Sequence, residues 1–166
     1  MSRFFIVLSL FLLVFSSCSH TYYIVRHAEK EAQATNMSSD VSLTNQGKQR
    51  AEALKEILKN KKIAYIFSTN TIRTQSTAQP TADYFHLAIE TYGPRPDSAF
   101  ISLLKSKKKN VLVVGHSNTV DDIVNMLCNE KRIATDLNDD EYDNLFVVKY
   151  KGGKIFFSNK KIQLPR

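Results

Sequence analysis

Cysteine and histidine are both scarce in this sequence of 166 residues, which contains two cysteines and four histidines. If Cys18 is modified, as its position suggests, no disulfide can form within the chain, and Cys128 is expected to pack as a small buried hydrophobe. A chain of this length forms one domain and can bury a sufficient core without cross-links.

The sequence also lacks the patterns of several protein classes. It has no zinc-ligand or helix-turn-helix spacing, and its lysine runs contain no interleaved stacking aromatics, so nucleic acid is not an expected partner. The acidic stretch 138–143 lacks the central glycine and terminal glutamate of a calcium loop, and we expect no metal or other cofactor. No internal repeat, linker or low-complexity segment occurs after the amino-terminal stretch.

Positive charge is in excess: the formal net charge is +7, and lysines are concentrated in 59–62, 105–109 and 149–161. Such runs are usually solvated faces, which is the first interpretation. A basic field also favours phosphate-bearing substrates or an anionic membrane surface.

Residues 1–17 differ in kind from the rest of the chain. Arg3 supplies a positive charge, residues 4–15 are apolar apart from Ser9, and small residues follow. The apolar stretch is too short for a transmembrane helix, so residues 1–17 are interpreted as a signal peptide.

The end of this segment, Ser17-Cys18, resembles a bacterial lipoprotein processing site, in which the cysteine is lipidated and becomes the first residue. The sequence thus predicts an exported protein of the cell envelope, anchored to the membrane through Cys18, with one domain over 18–166. An uncleaved amino-terminal anchor is the alternative. The tether is short, which should keep the domain close to the membrane.

Apolar runs and helical spacing alternate along the domain. Periodicity and turn residues predict strands at 21–25, 63–67, 87–91, 110–118, 144–151 and 154–157, and helices at 44–58, 71–85, 97–106 and after 117. We expect Thr44 to cap the first helix, and Ser117 or Asn118 to cap the last. Gly152-Gly153 predicts a hairpin turn.

This alternation predicts an α/β fold with three α/β/α layers, a mainly parallel central sheet and a carboxyl-terminal antiparallel hairpin. The two most apolar strands each end in a histidine, His27 and His116, and only three histidines follow His20. If these strands are neighbours, about 5 Å apart, both imidazoles project into one crevice at the carboxyl edge of the sheet.

Arg26 and Arg73 are expected at the same edge. Arg73 lies near the start of a helix, where the dipole favours anions, so an anion bound between this arginine and the helix end would explain its position. A surface arginine paired with a carboxylate is the alternative. Two guanidinium groups and two imidazoles suit a phosphoryl group and require no metal.

Four motifs resemble those of the histidine phosphatase superfamily, in its phosphoglycerate-mutase-like branch. Arg26-His27-Ala28-Glu29 is similar to Arg-His-Gly-Glu, residues 43–47 to Leu-Thr-x-x-Gly, Ser68 with Arg73 and Thr77 to the second arginine motif, and residues 115–117 to the second histidine motif. Ala28 replaces the commoner glycine, where only a small residue is required.

The resemblance implies a metal-independent phosphatase. It implies that His27 accepts the phosphoryl group as nucleophile, and that Arg26, Arg73 and His116 bind and stabilise it. Larger relatives supply a general acid from the segment after the second arginine motif, where Glu90 is our choice and Asp97 is less favoured.

Only 42 residues lie between Arg73 and His116, too few for a lid domain. We therefore expect an open pocket that admits phosphorylated small molecules or an exposed phosphate on a larger molecule, as a phosphomonoester or phosphohistidine. The alternative is an exported phosphate-binding or surface lipoprotein with the pocket but no turnover. Mutase activity is less favoured.

Overall fold

The computed structural model describes residues 19–32 and 40–164. The predicted signal peptide and Cys18 lie outside these residues. Within the described ranges, no helix is both long and apolar enough to cross a membrane.

Six strands and four helices follow one another along the chain. The strands are β1 (Ser19–Arg26), β2 (Ile63–Thr69), β3 (Ile89–Tyr92), β4 (Asn110–Gly115), β5 (Asn144–Lys151) and β6 (Lys154–Lys161). The helices are α1 (Asn45–Leu58), α2 (Ile72–Phe85), α3 (Ser98–Lys107) and α4 (Val120–Cys128).

The strands form one sheet in the order β3-β2-β4-β1-β5-β6. The first four in this order are parallel, whereas β5 runs antiparallel to β1 and β6 antiparallel to β5. The turn between β5 and β6 is Gly152-Gly153, and both glycines have positive φ. The predicted mainly parallel sheet with a terminal antiparallel hairpin is confirmed.

Two hydrophobic cores lie on opposite faces of the sheet. Alternate residues of β1 point to different cores: Ile24 packs with Leu104 of α3 and Ile123 of α4, whereas Val25 packs with Leu54 of α1. The helices α1 and α2 therefore cover one face and α3 and α4 the other, which gives the predicted three layers.

Several boundaries differ from the sequence prediction. The last strand continues to Lys161 because it pairs with β5 along its whole length. The last helix begins at Val120 with Thr119 as N-cap, not Ser117 or Asn118. The amides of Thr119 and Val120 both donate to the carbonyl of His116, so a tight turn takes up the residues that were expected to cap.

The first helix begins as predicted, with the Thr44 hydroxyl accepting from the amide of Gly47 at 3.0 Å. Gly47 packs directly on the loop that follows β1. A Cβ atom at this position would lie 2.1 Å from the carbonyl oxygen of Glu29. The Leu-Thr-x-x-Gly motif thus caps α1 and allows it to approach the end of β1.

Gly47→Ala should lower the free energy of unfolding by about 3 kcal/mol, at the upper end for overpacking, because the backbone of Glu29 cannot yield as a side chain would. Urea denaturation measures this change. Gly93→Ala is the control, since its Cβ would meet nothing nearer than 3.7 Å, and it should shift stability by less than about 1 kcal/mol. Equal effects of the two substitutions would contradict the packing argument.

Candidate active site

Parallel pairing of β1 with β4 brings the two predicted histidines together. Arg26 is in register with Gly115, and the amide of His27 donates to the Gly115 carbonyl at 2.9 Å. The imidazoles of His27 and His116 follow at the same sheet edge, with ring centroids 5.6 Å apart. The expected neighbouring strands and shared crevice are confirmed.

The protonation state of His27 follows from its contacts. Its Nδ1 lies 2.9 Å from the carbonyl oxygen of Ala28, which can only accept, so Nδ1 carries the hydrogen. Burial, with smaller contributions from Arg26 and Arg73, lowers the pKa of His27 to about 3 although the bond to Ala28 raises it. The ring is therefore neutral near pH 7, and its Nε2 holds a free lone pair.

His116 is held in the opposite tautomer. Its Nδ1 lies 3.4 Å from a terminal nitrogen of Arg73, which can only donate, so Nδ1 accepts. Burial, followed by the charge of Arg73, lowers the pKa of His116 to about 4, so the ring is neutral near pH 7. The hydrogen is then on Nε2 and is donated to the Thr69 hydroxyl at 2.8 Å.

Thr69 is able to accept this bond because its own hydrogen is engaged elsewhere. Its hydroxyl donates to the hydroxyl of Thr74 at 3.1 Å, and Thr74 donates back to the carbonyl of Thr69 at 2.9 Å. Thr69 and Thr74 are fully buried. The end of β2 and the first turn of α2 thus fix the orientation of His116.

Arg26 is buried at the end of β1 and is held by the acidic loop. One terminal nitrogen donates to the carbonyl oxygens of Asn138 at 2.7 Å and Asp139 at 3.1 Å, and its guanidinium lies 4.2 Å from the ring centroid of Tyr142. Its Nε is buried with no hydrogen-bond partner within the described ranges. The loop at 138–143 therefore positions an arginine through its backbone.

Arg73 lies in the first turn of α2 and faces a carboxylate. Its NH1 is 3.5 Å from Asp40 Oδ1, which also accepts from the amide of Ile72 at 2.8 Å. An anion does occupy the space between the arginine and the helix end, as the dipole argument required, but it belongs to the chain. The carboxylate pairing of the alternative interpretation is therefore present, and the same arginine also reaches His116. Binding of a ligand anion by Arg73 stays a prediction.

The segment after His27 is anchored from two sides. The amide of Ala28 donates to the hydroxyl of Thr77 at 2.9 Å, and that hydroxyl donates to the carbonyl of Arg73 at 2.7 Å. Glu29 accepts from Arg50 through both carboxylate oxygens. Ala28 is only 1% exposed, which agrees with a requirement for a small residue.

The site opens into a cavity of about 940 Å³. Its lining is rich in cationic and imidazole side chains, namely Arg26, His27, Lys30, Arg73, Arg95 and His116. Among the described residues, no group of three or more histidine, cysteine or acidic side chains could hold a metal ion. The arrangement can therefore bind an anion beside an unprotonated imidazole nitrogen.

The structure does not bring Glu90 into this cavity. Glu90 is exposed on β3, in register with Phe67 of β2. The less favoured Asp97 does line the cavity, but its carboxylate accepts from the amide of Phe100 at 2.7 Å and caps α3. Glu90, which we expected to be the general acid, is therefore not part of the cavity.

The residues of the site that were not predicted from the sequence include Thr69, Asp40 and Tyr142. Thr69 could have been found, because it lies in the polar residues that follow the predicted strand at 63–67, as His27 and His116 lie at the ends of theirs. Asp40 and Tyr142 lie in polar loops whose path depends on the folded chain. No local pattern distinguishes them.

Thr69→Val should leave the Nε2 hydrogen of His116 without an acceptor. We expect the free energy of unfolding to fall by about 1–3 kcal/mol, the cost of a buried unpaired donor. Nitrogen NMR of the His116 ring should show loss of the single tautomer, whereas Thr69→Ser should retain it. An unchanged ring spectrum in Thr69→Val would contradict the assignment.

His27 and His116 should not titrate near the ordinary histidine pKa of 6.5. Because burial disfavours their charged forms, proton NMR of the free protein should show both rings neutral from neutral pH down to about pH 5. The unfolded chain binds these protons near pH 6.5, so the two rings make the free energy of unfolding fall as the pH drops below that value. A midpoint near 6.5 for either ring would refute the description.

Comparison with known proteins agrees with the fold and the motif. Residues 22–93 match the sequence model of the histidine phosphatase superfamily (branch 1). A comparison with curated proteins finds no significant match.

Solved structures of similar fold include the putative phosphohistidine phosphatase SixA from Agrobacterium tumefaciens, at 18% identity and TM-score 0.60, over 82% of this chain and 96% of that one. A SixA complexed with tungstate matches at 20% identity and TM-score 0.65, and the match covers 85% of this chain and 96% of that one. Phosphoserine phosphatase from Entamoeba histolytica matches at 14% identity and TM-score 0.61, and the match covers 87% of this chain and 98% of that one. The sequence match includes Arg26, His27 and Arg73, so residues 22–93 of the chain are similar to the histidine phosphatase superfamily, and the solved structures share its fold.

Proposed function

We propose that this protein is a metal-independent phosphatase that transfers a phosphoryl group from its substrate to Nε2 of His27. The observation that carries the proposal is the state of His27, which is neutral, donates from Nδ1 to Ala28, and keeps the Nε2 lone pair free. A buried imidazole in this state, in a cavity rich in positive charge, is suited to attack phosphorus.

The reaction has two steps. The Nε2 lone pair of His27 forms a bond to phosphorus while the bond to the leaving group breaks, which gives a phosphohistidine. Water then attacks phosphorus, the phosphorus–nitrogen bond breaks, and inorganic phosphate and the free imidazole are released. Arg26 and Arg73 stabilise the charge on the phosphoryl oxygens in both steps, and His116, whose ring contacts both Arg73 and Thr69, holds Arg73 in position.

The surroundings of His27 favour substrates whose leaving group needs little protonation. Glu90 is outside the cavity, and Asp97 is engaged as a helix cap. Phosphohistidine and aryl phosphates meet this condition better than alkyl phosphates, although alkyl phosphomonoesters remain within the proposed class. The phosphohistidine and protein histidine phosphatases called SixA and a phosphoserine phosphatase share the fold, which supports a substrate of this class.

The shape of the cavity favours a broad choice of substrate. The 42 residues between Arg73 and His116 are taken up by the rest of α2, by β3, α3 and β4, and by short connections, with no inserted domain. The phosphate of a small molecule or of a protein surface could therefore enter. We further propose that the protein is exported and lipidated at Cys18, on the basis of residues 1–18 alone.

An aryl phosphate assay with EDTA present tests this function. We expect turnover that is unaffected by the chelator, and His27→Asn should abolish it. His86→Asn is the matched control, since His86 is exposed at the carboxyl end of α2, and it should retain full activity. Arg73→Ala should lose on the order of 10²–10³ in kcat, the usual effect of removing one group that stabilises charge.

Other outcomes distinguish the alternatives. Phosphate binding without turnover by the native protein would favour a binding protein that has the pocket alone. Activity that survives in His27→Asn would contradict the proposed nucleophile. Transfer of the phosphoryl group to a second sugar phosphate, instead of water, would indicate a mutase.

A further inference from the structure

Lysines from all three lysine runs of the sequence meet at one edge of the sheet. The parallel strands β1, β2 and β4 all begin at this edge, and β5 ends there because it is antiparallel to β1. The lysines that precede β2 and β4 therefore lie at the same edge as the lysines at the end of β5. We call five of these lysines the basic edge: Lys61, Lys108, Lys149, Lys151 and Lys154.

Direct contacts place the first of these lysines beside the start of β1. The backbone amide of Thr21 donates to the side chain of Asn110 at 2.8 Å, and that side chain donates to the carbonyl of Lys61 at 2.6 Å. The charge of Lys108 contributes to a lowered pKa of His20, after the larger effect of burial. The turns before β2 and β4 therefore adjoin the point at which β1 begins.

The other three lysines, Lys149, Lys151 and Lys154, belong to the hairpin of β5 and β6. Ser19 is in register with Lys151, and Lys151 with Lys154 across the β5–β6 turn. Thr21 is in register with Lys149, which is in register with Phe156. The first residues of the described chain are thus flanked by lysines on both sides.

The lysines of the basic edge form no ion pair with any carboxylate in the part of the chain that the structure describes. All five lysines are exposed, and among the described residues none has a carboxylate within 4.0 Å. The neighbouring aromatic ring of Phe156 is 51% exposed. An uncompensated basic surface with an exposed aromatic residue is typical of contact with anionic lipid.

The sequence before β1 identifies the occupant of this surface. Ser19 directly follows Cys18 and the apolar stretch at 4–15, so the chain enters the domain at the basic edge. A membrane that holds the amino-terminal segment would lie against these lysines. We propose that the basic edge docks on an anionic membrane surface.

Docking in this way fixes the direction in which the catalytic cavity opens. Ser19 and His27 are at opposite ends of β1, roughly 26 Å apart at about 3.3 Å per residue. The cavity therefore faces the aqueous phase, and its substrates arrive from solution instead of from the same bilayer. This inference concerns orientation and is independent of turnover at His27.

The full chain can be tested on vesicles of phosphatidylcholine alone and of equimolar phosphatidylcholine and phosphatidylglycerol. Flotation measures association, and amine acylation read by mass spectrometry measures the exposure of each lysine. We expect acylation of Lys149, Lys151 and Lys154 to slow about fivefold or more on the mixed vesicles, and to recover at high salt. Lys48, at the opposite edge, should not change.

A charge-matched pair of variants isolates the basic edge. The triple substitution Lys149→Gln, Lys151→Gln and Lys154→Gln should abolish the protection that phosphatidylglycerol gives to Lys61 and Lys108. The control, Lys48→Gln, Lys160→Gln and Lys161→Gln, removes the same charge from the far end of α1 and β6 and should leave that protection intact. Hydrolysis of a soluble aryl phosphate should be the same in both variants.

Three results would overturn the proposal. Flotation with both vesicles but equal acylation would show an anchor without docking. Flotation with neither would show that the surface has no affinity for lipid. Protection by an oligonucleotide but not by mixed vesicles would assign the surface to nucleic acid. None of these results depends on the phosphatase assay, so failure of docking and failure of the catalytic proposal are distinguishable.

Discussion

The hydrogen bond from the amide of His27 to the carbonyl of Gly115 is the contact on which the site depends. It continues the parallel pairing of β1 and β4 by one residue beyond the strands and sets the two imidazoles side by side. Gly115 is suited to this position because a Cβ would lie 2.8 Å from the hydroxyl of Tyr92. The strands β1 and β4 are buried on both faces, so core packing holds this edge of the sheet in place.

Two neutral histidines with opposite tautomers result from this arrangement. The Ala28 carbonyl fixes the hydrogen of His27 on Nδ1, whereas Arg73 and Thr69 fix that of His116 on Nε2. Burial disfavours the charged form of both rings, and the nearby guanidinium groups add to this effect. In the proposed mechanism, the arginines therefore supply the positive charge that a phosphoryl group needs, and His27 keeps the lone pair that it needs for attack.

The sequence predicted the parts of this site that lie at the ends of regular elements. His27 and His116 end strongly apolar strands, and Arg73 opens a helix, so periodicity alone brought them to one edge. Periodicity does not predict the contacts that loops make. Asp40 and the acidic loop approach the site only in the folded chain, and Glu90, chosen because it lies near a strand end, is on an exposed edge strand. The role assigned to residues 1–18 stays a prediction.

Trapping the phosphorylated intermediate is the most direct test of His27 as the nucleophile. The protein is mixed with an aryl phosphate, quenched in base, where a phosphohistidine survives, and examined by mass spectrometry and by phosphorus and nitrogen NMR. We expect one phosphoryl group on Nε2 of His27, because Nδ1 is engaged by the Ala28 carbonyl. A phosphoryl group on Nδ1 of His27, on His116 or on any other residue would contradict it.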